Sequence, residues 1–323
     1  MGCAPKLSTA ERRRTQGASG PRIGWLVGLF RLPDWEILSN MSTSLIEDLQ
    51  RQVAQRQIAV IFGTGVSMAA TNGAPTAAWK GLLLHGIEQA ATFGRNLPAG
   101  WRDRQLDAIE RGDLDEWLGV AEQIARRLGA PKGGEYSRWL REAVGTLPTK
   151  SPEVIDAMLT LRAPLLTTNY DGLTEARSGR SPVTWRDTAQ CGRVLRGATE
   201  GVIHLHGYWQ EPESVIFGIR SYEQILASEH TQVLLRALRT FRSLLFVGFG
   251  AGLLDPNFGP FLKWTESVFH DDEYRHYRLV KDSEVAKFQA EHRSDQRIFV
   301  LGFGDENSKL PAFLRSLAPS PHA

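Results

Sequence analysis

The residues best suited to chemistry in this 323-residue chain stand in four short motifs, each directly after an apolar run. Gly63-Thr64-Gly65-Val66-Ser67 follows Ile58-Ala59-Val60-Ile61-Phe62, and Thr167-Thr168-Asn169-Tyr170-Asp171 follows Pro164-Leu165-Leu166. His206-Gly207 closes the run Val202-Ile203-His204-Leu205, and Gly248-Phe249-Gly250 follows Leu244-Leu245-Phe246-Val247. Glycines after a buried strand let backbone amides approach a phosphate, and a hydroxyl such as Ser67 can add a hydrogen bond. A plain tight turn explains the same loop. Met68 stands where the dinucleotide fingerprint has its third glycine, and the lysine of a P-loop is missing, which argues against Walker-type ATP hydrolysis. Asn169 can orient a ribose hydroxyl or a water without bringing charge, and Asp171 can accept hydrogen bonds from a carboxamide or a ribose. Either residue could instead cap a helix over 172–176. His206 titrates near neutrality and suits general-base work, although a histidine at a strand end is often structural. His204 shares its strand face if the strand stays regular. A His-x-His metal site lacks a nearby carboxylate or cysteine cluster, so no metal is expected. Asp255-Pro256 reads as a helix cap followed by proline at the first helical position, a structural role.

The elements that must position these motifs are read from periodicity. Short apolar runs bounded by glycine or polar residues predict buried parallel strands. In an open α/β sheet, ligands bind outside the carboxyl ends of the strands. Four polar strand ends therefore predict one nucleotide site, provided the strands are neighbours. A helix is expected from Thr76, with Trp79, Leu82, Leu83 and Ile87 on one side. The stretch 102–147 is largely helical by spacing and punctuated by Pro131 and Pro148. It reads as an inserted module covering the site, or more plainly as extra packing helices. Beyond Pro152 the expected order is a helix, the strand before Asn169, an irregular stretch and the strand before His206. A short strand Val215-Ile216-Phe217, helices over 222–227 and 231–242 and the strand to Val247 come next. A helix over 257–269, a strand over 277–280, a helix over 283–292 and a strand over 298–301 complete the domain. This alternation predicts an α/β fold with a doubly wound, mostly parallel, Rossmann-like sheet and a helical insertion at about 102–147.

Composition narrows the partners. Hydrophobic residues make up 42% of the chain, enough for a globular core. A net charge of +2, with basic and acidic residues interspersed, gives no reason to expect nucleic acid. No apolar stretch approaches the roughly 18 residues of a membrane span. Two cysteines, Cys3 and Cys191, suggest neither a four-cysteine zinc module nor a disulfide framework, and a reducing cytoplasm is the natural setting. Residues 1–40 read as a disordered or mistakenly included extension. Met41 is a plausible start, with Ser42-Thr43-Ser44 capping an amphipathic helix to about Gln55. The folded domain is then expected over 41–317, with a loose tail over 318–323.

Together the four motifs resemble, in type and in order, those of the sirtuin-like fold family. That family's NAD site uses a Gly-x-Gly-x-Ser loop, a Thr-x-Asn-x-Asp segment, a His-Gly pair and a glycine-rich late strand end. The zinc ribbon of protein-deacylating sirtuins is missing after His206-Gly207, where Tyr208-Trp209-Gln210-Glu211-Pro212 continues. The chain is more similar to the prokaryotic branch whose members hydrolyse NAD, often in anti-phage defence. The resemblance implies NAD as substrate, with Asn169 positioning ribose and water and His206 acting as base. It implies that Gly63, Thr64, Gly65 and Ser67 hold phosphate and that Gly248, Phe249 and Gly250 face the adenosine side. Thr168 and Asp171 would complete the NAD contacts. It implies restraint by an activating protein partner or by homo-oligomerisation. An NAD-dependent protein deacylase and a silent NAD- or ADP-ribose-binding regulatory module are the alternatives.

Overall fold

The computed structural model describes residues 34–93, 97–221, 234, 238, 243–249, 275–292 and 297–319. Packing divides the chain into two units, Met1–Ser39 and Asn40–Ala323, and the second carries the sheet and all four motifs. Seven strands form that sheet: β1 (Ile58–Phe62), β2 (Leu165–Thr167), β3 (Ser181–Thr184), β4 (Gly201–His204), β5 (Ser243–Val247), β6 (His276–Val280) and β7 (Ile298–Gly302). Their order is β3-β4-β2-β1-β5-β6-β7, and every pair is parallel. The α/β doubly wound reading is therefore correct. The four strands that carry the motifs are consecutive, β4-β2-β1-β5, so their carboxyl ends lie side by side.

Helices cover both faces: α1 (Asp34–Ala54), α2 (Thr64–Ala70), α3 (Trp79–Phe93), α4 (Trp101–Arg111), α5 (Leu114–Leu128), α6 (Gly134–Leu140), α7 (Glu153–Thr160), α8 (Leu173–Ser178), α9 (Thr188–Leu195), α10 (Val285–Glu291) and α11 (Leu310–Leu317). Strand β1 shows why. Ile58, Val60 and Phe62 enter one core with Leu49, Val154 and Leu314, while Ala59 and Ile61 enter another with Cys191 and Val194. Alternation places successive side chains on opposite faces, and helices on both faces make the strand apolar throughout. The chain builds outward from β1 to β2 and edge strand β3, inserts β4 between those two, then returns to place β5 on the other side of β1. That reversal is the topological switch point at which such sheets open a crevice.

The helical module has its own core, in which Trp79, Leu83, Ile124 and Trp139 pack with Tyr170, Ile216 and Phe217. Tyr170 lies between Asn169 and Asp171, so the module packs directly against the second motif. Three expectations need correction. Val215-Ile216-Phe217 is not a strand: it is a strap tied down by the Ile216 amide and the His206 carbonyl. The stretch read as irregular contains edge strand β3 and helix α9, where exposed Ser181 and Pro182 dilute the strand signal. Residues Ser42-Thr43-Ser44 lie inside α1 and do not cap it. The helices expected over 222–227, 231–242 and 257–269, with Asp255 and Gly250, fall outside the described residues apart from positions 234 and 238. Among the described residues no helix is long and apolar enough to cross a membrane.

Candidate active site

The first motif leaves β1 and becomes helix α2 at once, with Gly63 as its N-cap. Gly65 donates its amide to the Gly248 carbonyl at 2.9 Å, which locks the loop after β1 onto the loop after β5. A Cβ on Gly65 would lie 2.7 Å from that carbonyl oxygen. Gly248 has φ +75°, and its own Cβ would meet the Val66 nitrogen at 2.8 Å. The Phe249 ring covers Gly63 so closely that a Cβ there would stand 2.8 Å from it. These glycines are thus required first by the approach of two backbones across the switch point. The Gly65 amide is already committed to that contact.

The second motif fills the space beside this lock. Thr167 Oγ1 donates to the Phe62 carbonyl at 3.0 Å and accepts from the Asn169 amide at 3.0 Å, turning the chain sharply after β2. The Asn169 side chain reaches across to β1. Its Nδ2 donates to the Gly63 carbonyl at 3.0 Å and to Ser67 Oγ at 2.8 Å. Because a carbonyl only accepts, the amide orientation is fixed. Ser67 Oγ donates onward to Asp171 Oδ2 at 2.6 Å, and Asp171 Oδ1 accepts from the Leu173 amide at 3.1 Å. Neither residue caps α8, whose N-cap is Gly172 without a side-chain bond; Asp171 instead closes a turn onto the Leu173 amide. Burial pushes the Asp171 carboxyl above its usual range, against the bonds from Ser67 and Leu173.

His204 ends β4 beside β2 and is fully buried. Its Nδ1 donates to the Asn169 carbonyl at 2.9 Å, and its Nε2 lies 2.7 Å from Glu175 Oε1. Burial works against a charged ring here, but the hydrogen bond and negative charge of Glu175 outweigh it and hold His204 above its usual value. The Tyr208 ring packs on the imidazole at 4.7 Å between centroids. Asp171, Ser67, Asn169, His204 and Glu175 thus form one continuous buried chain of hydrogen bonds.

His206 stands in the turn after β4, so the strand does not continue regularly through both histidines. It is buried, and its carbonyl accepts from the Ile216 amide at 2.8 Å. Gly207 has φ +92°, and a Cβ there would lie 2.2 Å from the Ser214 carbonyl, so the strap presses the His-Gly turn into place. Two buried polar atoms at the neighbouring end of β2, Asn169 Oδ1 and Thr168 Oγ1, have no hydrogen-bond partner among the described residues. No group of three His, Cys, Asp or Glu suited to a metal is found among those residues.

The structure therefore brings Gly63, Thr64, Gly65, Ser67, Thr168, Asn169, Asp171, His206, Gly248 and Phe249 to four adjacent strand ends. Two residues were missed from sequence. Glu175 lies in α8 and meets His204, 29 residues away, so no local spacing marked it. Arg278 lies in the middle of β6, fully buried, with Nη2 donating to the Phe249 carbonyl at 2.6 Å. A charge inside a buried strand was its signal.

Comparison with known proteins gives two findings. Acetyl-coenzyme A synthetases of Shewanella oneidensis and of Shewanella sp. strains ANA-3 and MR-4 are each 26% identical over 153 residues, 46% of this chain. The chain covers 22% of the length of these relatives. Residues 164–301, under half of the chain, match a family described as the SIR2-like domain. The loop at Gly63 precedes that stretch and is tied to it through Asn169 and Gly248. The match across 164–301, on an all-parallel sheet with its polar motifs at adjacent strand ends, supports a sirtuin-like family and an NAD-related activity.

Proposed function

We propose that this protein is an NAD hydrolase that cleaves the bond between nicotinamide and ribose. Water adds to the anomeric carbon as the carbon–nitrogen bond breaks, giving ADP-ribose, nicotinamide and a proton. The bonding pair leaves with nicotinamide, which departs neutral from a cationic precursor, so the leaving group needs no general acid. The transition state is oxocarbenium-like, as in other glycoside cleavage. The observation that carries this reading is Asn169. Its nitrogen is clamped by Gly63 and Ser67, while its buried oxygen has no partner among the described residues. An unmet buried acceptor costs about 1–3 kcal/mol, and such groups are kept where a ligand completes them. In the proposed mechanism that oxygen accepts from a ribose hydroxyl or from the attacking water, and His206 takes the water's proton. Ser67 and Asp171 hold Asn169 in place. Thr64, at the start of α2, takes the diphosphate side in this reading, and the loop after β5 at Gly248 and Phe249 takes the adenosine side.

The resemblance of the Thr-Thr-Asn-Tyr-Asp segment and of the helical module to anti-phage NAD hydrolases supports a role as a regulated defence effector. Such an activity needs restraint, and an activating protein partner or self-assembly would provide it. The test is incubation with NAD alone, with products separated by chromatography. Wild-type protein should release nicotinamide, whereas folded His206→Ala should lose on the order of a hundredfold to ten-thousandfold of the rate and still bind NAD. Turnover that requires an acylated peptide would identify a deacylase instead. Undiminished turnover by His206→Ala would remove His206 as the base.

A further inference from the structure

A cavity of about 530 Å³ lies between the helical module and the segment 212–221, and its lining does not include Asn169 or His206. That volume suits a small organic molecule. Trp185 and Val215 give it an apolar wall with one aromatic face. Arg126, Arg186 and Arg220 line it as well, against only two carboxylates, Glu122 and Glu213. Those carboxylates do not saturate the arginines. Arg220 and Arg126 stand 3.5 and 3.8 Å from the same oxygen of Glu122, and Arg186 stands 3.9 Å from Glu213. Charge-assisted bonds to carboxylates close to about 2.7–2.9 Å. Elsewhere in this protein they do: Arg177 meets Asp156 at 2.6 and 2.8 Å. Arg186 also donates to the Glu213 backbone carbonyl at 2.9 Å, which aims it without neutralising it.

The cavity wall is fixed. Gly218 is pressed onto α5, where a Cβ would lie 2.6 Å from Glu122 Oε2. The Trp185 indole donates to the Ser214 carbonyl at 2.8 Å, and Tyr170 donates to the Ile216 carbonyl at 2.7 Å. A rigid wall with one aromatic face, set against three incompletely paired guanidiniums, matches a ligand with a flat ring at one end and clustered negative charge at the other. Arginine is suited to phosphate through its fork of donors.

We propose that this cavity is a second binding site, distinct from the strand-end crevice, for a nucleoside diphosphate. Its ring would lie against Trp185, and its phosphates would draw the three arginines off their glutamates.

The probe is ADP, with adenosine and inorganic pyrophosphate as separate arms, measured by isothermal titration calorimetry on the full chain. The Arg126 and Arg186 side chains are exposed, so the double variant Arg126→Glu/Arg186→Glu should keep the wild-type melting temperature. It should bind ADP at least tenfold more weakly, while Asn169→Ala, altered only in the crevice, should keep its ADP affinity within twofold. Adenosine and pyrophosphate should each bind more weakly than ADP. Absence of ADP binding to wild type, equal binding by the double variant, or loss of binding in Asn169→Ala would overturn the proposal. The measurement involves no turnover, so a protein that binds ADP here yet leaves NAD intact would refute the hydrolase and retain this site.

Discussion

Replacing Asn169 separates a structural cap from an oriented amide, because the two roles order the variants oppositely. A capping asparagine tolerates aspartate and loses about 1 kcal/mol on truncation to alanine. The structure reverses that order. In Asn169→Ala the Gly63 carbonyl keeps the Val66 amide at 3.0 Å, and Ser67 keeps Asp171 as acceptor. Two hydrogen bonds vanish with few groups stranded, at about 1 kcal/mol each, so the loss is roughly 2 kcal/mol. Asn169→Asp loses the same two donors and points a carboxylate at the Gly63 carbonyl. It also makes Ser67, with one hydroxyl proton, serve two carboxylates. A like charge beside buried Asp171 must either ionise in a poor environment or bind a proton. The cost rises to roughly 3–5 kcal/mol, as for an unpaired buried charge. Urea denaturation followed by circular dichroism measures both variants against wild type. Aspartate should be the less stable of the two, and both should lose at least about a hundredfold in NAD hydrolysis, the scale of a preorganised polar contact. An Asn169→Asp protein as stable as wild type and equally active would refute the clamp and the mechanism built on it.

The buried His204–Glu175 pair gives stability a pH dependence of known sign. His204 is held above its ordinary 6.5, chiefly by Glu175 against the effect of burial, with Asp171 acting in the same direction as Glu175. Its contribution is therefore fully present below pH 6.5 and is lost as pH rises through the raised folded value. The wild-type melting temperature should fall from pH 6.5 upward more steeply than that of Glu175→Gln, and parallel profiles would show that the pair does not set it. The glycine lock is tested by Gly65→Ala, whose methyl would stand 2.7 Å from the Gly248 oxygen and 2.8 Å from its Cα. Overpacking of this kind costs about 1–3 kcal/mol, so the midpoint of denaturation should drop, and an unchanged midpoint would mean the two loops can part freely.

Most strands, and the polar groups at their carboxyl ends, were legible in the chain alone. Runs such as Ile58–Phe62 and Leu244–Val247 are apolar throughout because helices bury both faces, and that pattern survives without any tertiary information. The types of group at the strand ends were legible too, since glycine, asparagine and histidine have few reasons to interrupt apolar runs. Strand β3 was not, because its exposed edge tolerates Ser181 and Pro182. The extended strap at 215–217 passed for a strand because local extension does not reveal a partner. That β4, β2, β1 and β5 are neighbours emerged from the folded sheet, because strand order depends on crossover connections and not on any single run. The fold alone showed that Ser67 and Gly65 face inward, to Asn169 and Gly248, and that Glu175 holds His204. Hydrogen bonds between residues a hundred positions apart leave little local signal. They are set by which strand ends the sheet brings together.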